Sequence, residues 1–220
     1  MVLTELPSRG GTDFDWTAQN DKRGNDEMMK IWLCNLGKYN EGNLVGQWID
    51  LPVDDFRPIL DNIGINEEYE EYFIADWECD FYKVHEYDNI YLLNYLAKLS
   101  EKLDEGEIAE LKLAASEMSV TDIYEMINLI LQLDNLNFIW LPGEGDAYTE
   151  LGEMFAEIDG LSNKLEELGV IDYFDFEKYG KSLSWDYAFG DDNVILNTYS
   201  VKDVILDRYS YDEIKEMMEE

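Results

Sequence analysis

The chain of 220 residues carries 50 Asp and Glu against 16 Lys and Arg, for a net charge of -34 at pH 7 and a pI near 4.1. Small-domain surfaces usually hold a net charge of about 2 to 8 in magnitude, and so few bases argue strongly against nucleic acid as a partner, because phosphates are bound by Lys and Arg. Hydrophobic residues make up 46% and aromatics 14%, which excludes the disordered class, where low apolar content defeats collapse; the expectation is a folded body under a carboxylate skin.

Residues 1–27 read as an N-terminal extension without sustained periodicity and hold six of the 50 acids, so the acidity belongs to the body. The start, MVLTELPSRGG, lacks the apolar core of a signal peptide, and no run approaches the ~20 apolar residues of a membrane helix. These features predict a soluble cytoplasmic protein with no membrane partner. Cys34 and Cys79 sit in strand-like segments and are expected as buried free thiols of a reducing compartment.

MKIWLCNL (29–36) is the first strand signal, GKYNEGN a turn, and LVGQWIDL (44–51) the returning strand of a hairpin. Asp54 or Asp55 is placed to cap a short helix that Gly64 ends. FIADWECDFY (73–82) alternates as a third strand, with Phe73, Ala75, Trp77, Cys79 and Phe81 on one face and Ile74, Asp76, Glu78, Asp80 and Tyr82 on the other. From Asp88 the period lengthens to nearly four, which predicts three helices marked by Ile90 to Leu103, Ile108 to Ala115, and Ile123 to Leu131, the last capped by Thr121. Beyond NFIWLPGEGD the pattern predicts a helix over 147–158, a helical LSNKLEELG, a hairpin SWDYAFGDDNVILNTY turning near Asp191 to Asn193, and a helical tail over 200–220. The fold class is α+β, with several small modules in a row: a β-rich α/β module over 28–86, a helical module over 87–136 and an α/β module over 137–199.

Enzyme chemistry finds little support. His85 is the single histidine, and a lone histidine is more often structural than catalytic. Two separated cysteines and one histidine make no zinc set. Neither FGDDNVIL nor LDNIGINEEYEE fits a calcium loop, and GEGDAY lacks the glycines and context of a dinucleotide fingerprint. The reading is a non-enzyme without cofactor or metal.

The stretch EEYEEYFIADWECDF (67–81) holds seven carboxylates and no base. On a strand, Asp76, Glu78 and Asp80 stand about 6.6 Å apart in a row of negative charge. Duplex DNA carries one charge per ~1.7 Å, so a charge of -34 corresponds to about 58 Å of duplex, longer than the ~45 Å width of a compact globule of this size. Matching the charge density of DNA therefore favours an elongated body.

NLGKYNEGNLVGQW (35–48), IGINEEYEEYFIADWE (63–78) and IDYFDFEKYGKSL (171–183) resemble the corresponding segments of the ArdA antirestriction family. The resemblance implies a DNA mimic that pairs into a curved homodimer, occupies the DNA-binding groove of type I restriction-modification enzymes in the bacterial cytoplasm, and is carried by mobile elements and phages. It assigns phosphate-mimicking roles to Glu67, Glu68, Glu70, Glu71, Asp76, Glu78, Asp80, Asp172, Asp175 and Glu177, and a dimer seam to the hairpin residues Val194 and Leu196. The same charge logic leaves an alternative open, an acidic inhibitor of another DNA-handling defence complex such as a CRISPR effector. Tyr69, Tyr72, Trp77 and Tyr173 are expected as core and rim aromatics, and Tyr179 and Gly180 in a turn.

Overall fold

The computed structural model describes residues 29–219, so the expected extension over 1–27 lies outside the described residues. Alternating burial along β1 (Met29–Asn35) puts Met29, Ile31 and Leu33 into the core. β1 is the centre of a three-stranded antiparallel sheet, flanked by β2 (Gly46–Leu51) and β3 (Tyr72–Cys79) in the order β2-β1-β3. The expected turn between β1 and β2 begins as a short helix, α1 (Leu36–Asn40), because the side chain of Asn35 accepts the Lys38 N–H at 2.9 Å and caps it. The amide of Asn35 also donates to the carbonyls of Ile63 at 3.2 Å and Gly64 at 3.0 Å, tying β1 to the end of α2 (Arg57–Asn62). Gly64 has φ +79, the left-handed conformation that ends a helix with least strain in glycine.

The simple alternation expected for β3 is broken by a bulge. Trp32 pairs with Asp76 but Leu33 pairs with Ile74, so Ala75 is the extra residue and every side chain before it changes face. Ile74 therefore turns into the core and Ala75 out, while Phe73 is buried on the opposite face beneath Tyr39, their ring centroids 5.1 Å apart. Beyond the bulge Trp77 and Cys79 point inward and Asp76 and Glu78 outward, as expected; Asp80 lies just past the strand, exposed in a bend.

The helical middle follows its sequence period: α3 (Ile90–Ser100), α4 (Glu105–Glu117) and α5 (Ile123–Ile130). The cap of α5 is Asp122 rather than Thr121, its carboxylate accepting the N–H groups of Tyr124 at 2.9 Å and Glu125 at 3.0 Å. Two stronger acceptor lone pairs per oxygen and a negative charge at the helix N-terminus favour the aspartate.

The last part holds a second antiparallel sheet, β4 (Phe138–Trp140), β5 (Tyr187–Phe189) and β6 (Val194–Asn197), in the order β4-β6-β5. The expected hairpin is thus joined by a strand from NFIW, too short to signal itself by alternation. α6 (Ala147–Ile158), α7 (Leu161–Glu167) and α8 (Phe176–Leu183) complete this part. Gly180 serves the packing of α8 on α6 rather than a turn: a Cβ there would fall 1.8 Å from the Tyr148 carbonyl oxygen.

One apolar cluster runs from Met29 of β1 through Leu93 and Met126 of the helices to Val194 and Leu196 of β6. A small second cluster joins Leu141, Leu151 and Ile195. Within the tail, residues 200–203 form a single 3-10 turn, and α9 (Tyr211–Glu219) buries Ile214 in the large cluster. The architecture is α+β, and among the described residues no helix is long and apolar enough to cross a membrane.

Candidate partner-binding surface

The open face of the first sheet is a small lattice. One cross-strand row reads Trp48, Trp32, Asp76 and the next Asp50, Lys30, Glu78. The two indoles meet edge to face at 5.7 Å, and Lys30 Nζ lies 3.4 Å from Asp50. Asp76 and Glu78 of the expected carboxylate row stand on this face, with Asp80 beyond the end of the strand, and they share it with two tryptophans and one lysine, which the pattern of a single strand could not reveal.

Glu67, Glu68, Glu70 and Glu71 lie exposed on the loop into β3. The loop is ordered by Asn66, whose side-chain oxygen accepts the N–H groups of Glu68 at 2.8 Å and Tyr69 at 3.1 Å, an Asx turn. Asp172, Asp175 and Glu177 are also exposed, around the start of α8. Asp175 caps that helix by accepting Lys178 N–H at 2.9 Å, and Glu177 pairs with Lys181 one turn on. Both acids therefore serve the helix as well as the surface. Among the described residues, Glu67, Glu68, Glu70, Glu71, Asp76, Glu78, Asp80 and Asp172 have no Lys, Arg or His within ion-pair distance.

A second device was not legible in sequence. The Tyr69 hydroxyl donates to both carboxylate oxygens of Glu41 at 3.1 Å, and Tyr179 donates to Asp159 at 3.3 Å. Glu41 pushes the Tyr69 phenol above its ordinary pKa; burial first, then Asp159, does the same to Tyr179. Each phenol stays a donor at neutral pH, so it holds a carboxylate in place without cancelling its charge. Tyr69, Tyr72 and Trp77 are half-buried rim aromatics, whereas Tyr173 is 87% exposed and belongs to no core.

Val194 and Leu196 are 1% and 0% exposed, because β6 is the central strand and its side chains enter the chain's own core. Neither side chain presents to a second molecule, so the seam expectation for these two is set aside. The most exposed apolar groups of this part of the chain are Leu168, Tyr173 and Trp185, which are 74%, 87% and 88% exposed.

His85 Nδ1 stands 3.6 Å from Asp88, whose Oδ2 accepts the Tyr82 hydroxyl at 2.9 Å and the His85 N–H at 2.8 Å. These bonds close the turn into α3, and no serine or cysteine hydroxyl or thiol joins them among the described residues. No group of three His, Cys, Asp or Glu is placed to hold a metal ion among the described residues. Cys34 and Cys79 are free thiols, the first buried and the second half-buried.

The chain is thus an α+β protein with a strongly acidic surface, its exposed carboxylates outnumbering their cationic partners. The family model of the antirestriction protein ArdA matches residues 31–195, three quarters of the chain, and the protein belongs to that family. Comparison with curated protein sequences finds no match. Membership makes the chain an antirestriction protein, from a family of inhibitors rather than enzymes, directed against restriction-modification systems.

Proposed function

We propose that the protein is a DNA mimic: its exposed carboxylates take the place of DNA phosphates, and the chain occupies the DNA-binding groove of a type I restriction-modification enzyme. The observation that carries this reading is the run of unpaired, exposed acids from Glu67 to Asp80 on one sheet and its entry loop. A surface that needed only solubility would mix both signs. Lysines and arginines of the groove would pair with these carboxylates as they do with phosphates, and the field of a chain at -34 would speed encounter. The active unit in this reading is a homodimer, with Leu168, Tyr173 and Trp185 offering apolar surface for the seam.

Competition tests the proposal. The protein is titrated against labelled duplex DNA bound to a type I methyltransferase core complex at low and moderate salt. Displacement near stoichiometry that weakens as salt rises is expected; DNA that stays bound at large excess overturns the type I assignment. Sedimentation of the wild type against Trp185→Ser tests the seam, which requires a dimer that the substitution weakens.

A further inference from the structure

Charge attracts any basic surface, and scattered carboxylates favour arginine over lysine only through the forked geometry of each pair. The first sheet carries something more. Trp48 is 43% exposed on β2, directly across from Trp32 and in edge-to-face contact with it at 5.7 Å. Gly46, on the same face two residues earlier, leaves room for this arrangement: a Cβ there would stand 3.1 Å from Trp32 Nε1 and 2.6 Å from Cys34 Sγ. Trp32 in turn pairs across the sheet with Asp76, and the next row brings Asp50 and Glu78 on either side of Lys30. An aromatic surface held rigid by its neighbour is thus bordered by carboxylates on one open face.

We propose that Trp48 is a docking point for an arginine side chain of the partner, with the guanidinium stacked on the indole and its outer nitrogens directed at the neighbouring carboxylates. The chemistry is specific. A guanidinium is planar, weakly hydrated and forked, so it stacks on an indole and binds carboxylate with two parallel bonds; an ammonium is a compact, strongly hydrated point charge that does neither. The face holds Asp50, Asp76 and Glu78 against Lys30, an excess of negative charge that favours a cationic occupant. A tryptophan left partly exposed among acids on a strand is also the kind of residue that dominates protein interfaces. This inference rests on the mimicry reading, and it names the residue chemistry that the mimic selects in its target.

The test uses the full chain with deca-arginine and deca-lysine, peptides of equal charge, followed by calorimetry at moderate salt. Wild type is expected to bind deca-arginine about three- to tenfold more tightly than deca-lysine. Trp48→Leu, which keeps apolar bulk on the strand and leaves the charge unchanged, should reduce that preference while leaving deca-lysine affinity as it was. An equal affinity for the two peptides in wild type, a preference unchanged by Trp48→Leu, or an equal loss for both peptides overturns the proposal. Circular dichroism checks the fold; if the leucine variant misfolds, Trp48→Phe carries the test, with a reduced preference expected and an unchanged one overturning it. The peptides need no restriction enzyme, so failure of the type I competition and failure of this inference are separate results.

Discussion

The side-chain amide of Asn128 reads both backbone groups of Tyr209: its nitrogen donates to the Tyr209 carbonyl at 3.2 Å, and its oxygen accepts the Tyr209 N–H at 2.7 Å. One turn further along, Gln132 repeats the pattern on Ile205, at 2.8 and 3.3 Å. The spacing of four residues puts both amides on one face of the helical stretch, where they hold the segment after the second sheet as a neighbouring strand would. Asn94 of α3 does the same to Val53, at 2.7 and 2.9 Å. Tyr211 then packs on Tyr124 at 5.7 Å and Ile214 enters the core. The tail lies beyond the matched family span of 31–195 and is still part of the fold.

Removing one partner of such a pair orphans two backbone groups of the tail. The bonds are part-buried, and losing two of them costs about 1–3 kcal/mol, at about 0.5–1.5 kcal/mol for each. Asn128→Ala and Gln132→Ala are each expected to lower stability by about that amount and to raise hydrogen exchange over residues 204–219 more than over the first sheet. Equal exchange changes in both regions would show that the amides serve general stability rather than tail docking.

Glu213 gives the tail a pH dependence. The N–H of Ser210, then its hydroxyl, hold the carboxyl below its ordinary pKa, and these bonds form the box that starts α9, at 2.8 and 2.7 Å. The folded value is the lower one, so the stabilisation is present above the unfolded value of about 4.3 and disappears as pH falls through the folded value. Amide protection in α9 should therefore fall selectively on acidification below pH ~4.5, and Glu213→Gln should lose that component. A variant with the wild-type acid response would refute the assignment.

Glu150 shows an acid used for structure. It is 8% exposed and accepts the N–H groups of Gly143 at 2.9 Å, Glu144 at 2.7 Å and Gly145 at 2.7 Å, which organises the turn before α6. Glu150→Gln replaces an acceptor oxygen by a donor facing N–H groups. The expected loss is about 1.5–3 kcal/mol, the worth of one charge-assisted bond, read by urea unfolding; a change under ~0.5 kcal/mol contradicts it.

Gly152 and Gly180 let α6 and α8 touch backbone to backbone. A Cβ on Gly152 would fall 2.1 Å from the Phe176 carbonyl oxygen, and backbone cannot yield as a flexible side chain can. Gly152→Ala is expected to cost about 1–3 kcal/mol or more by overpacking, whereas Gly160→Ala meets nothing within 4 Å and bears only the strain of its φ of +67. A ranking with Gly160 the more sensitive in thermal unfolding would overturn this account.

Distributed contacts predict graded loss of inhibition. Neutralising Glu70, Glu71, Asp76, Glu78 and Asp80 together should raise the concentration needed to displace DNA more than any single change and should reduce the salt slope, as removal of phosphate contacts does. Complete loss from one of these single changes, with the fold intact, would point to a single dominant contact instead.

Much of this was legible in sequence. Period and end signals located α3, α5 and α6, since both are local properties of the chain, and the sign of the surface followed from composition alone. The family resemblance rested on three short segments, and the family match agrees with it. The tertiary structure decided what depends on contacts between distant residues. The bulge at Ala75, set by pairing with β1, moved Ile74 into the core. The central place of β6, set by a strand some fifty positions earlier, buried Val194 and Leu196. Most of all, no local pattern in LVGQWIDL or MKIWLCNL announces that Trp48 and Trp32 meet beside Asp76; only cross-strand register brings them together, because register is an energy shared between strands and belongs to neither one.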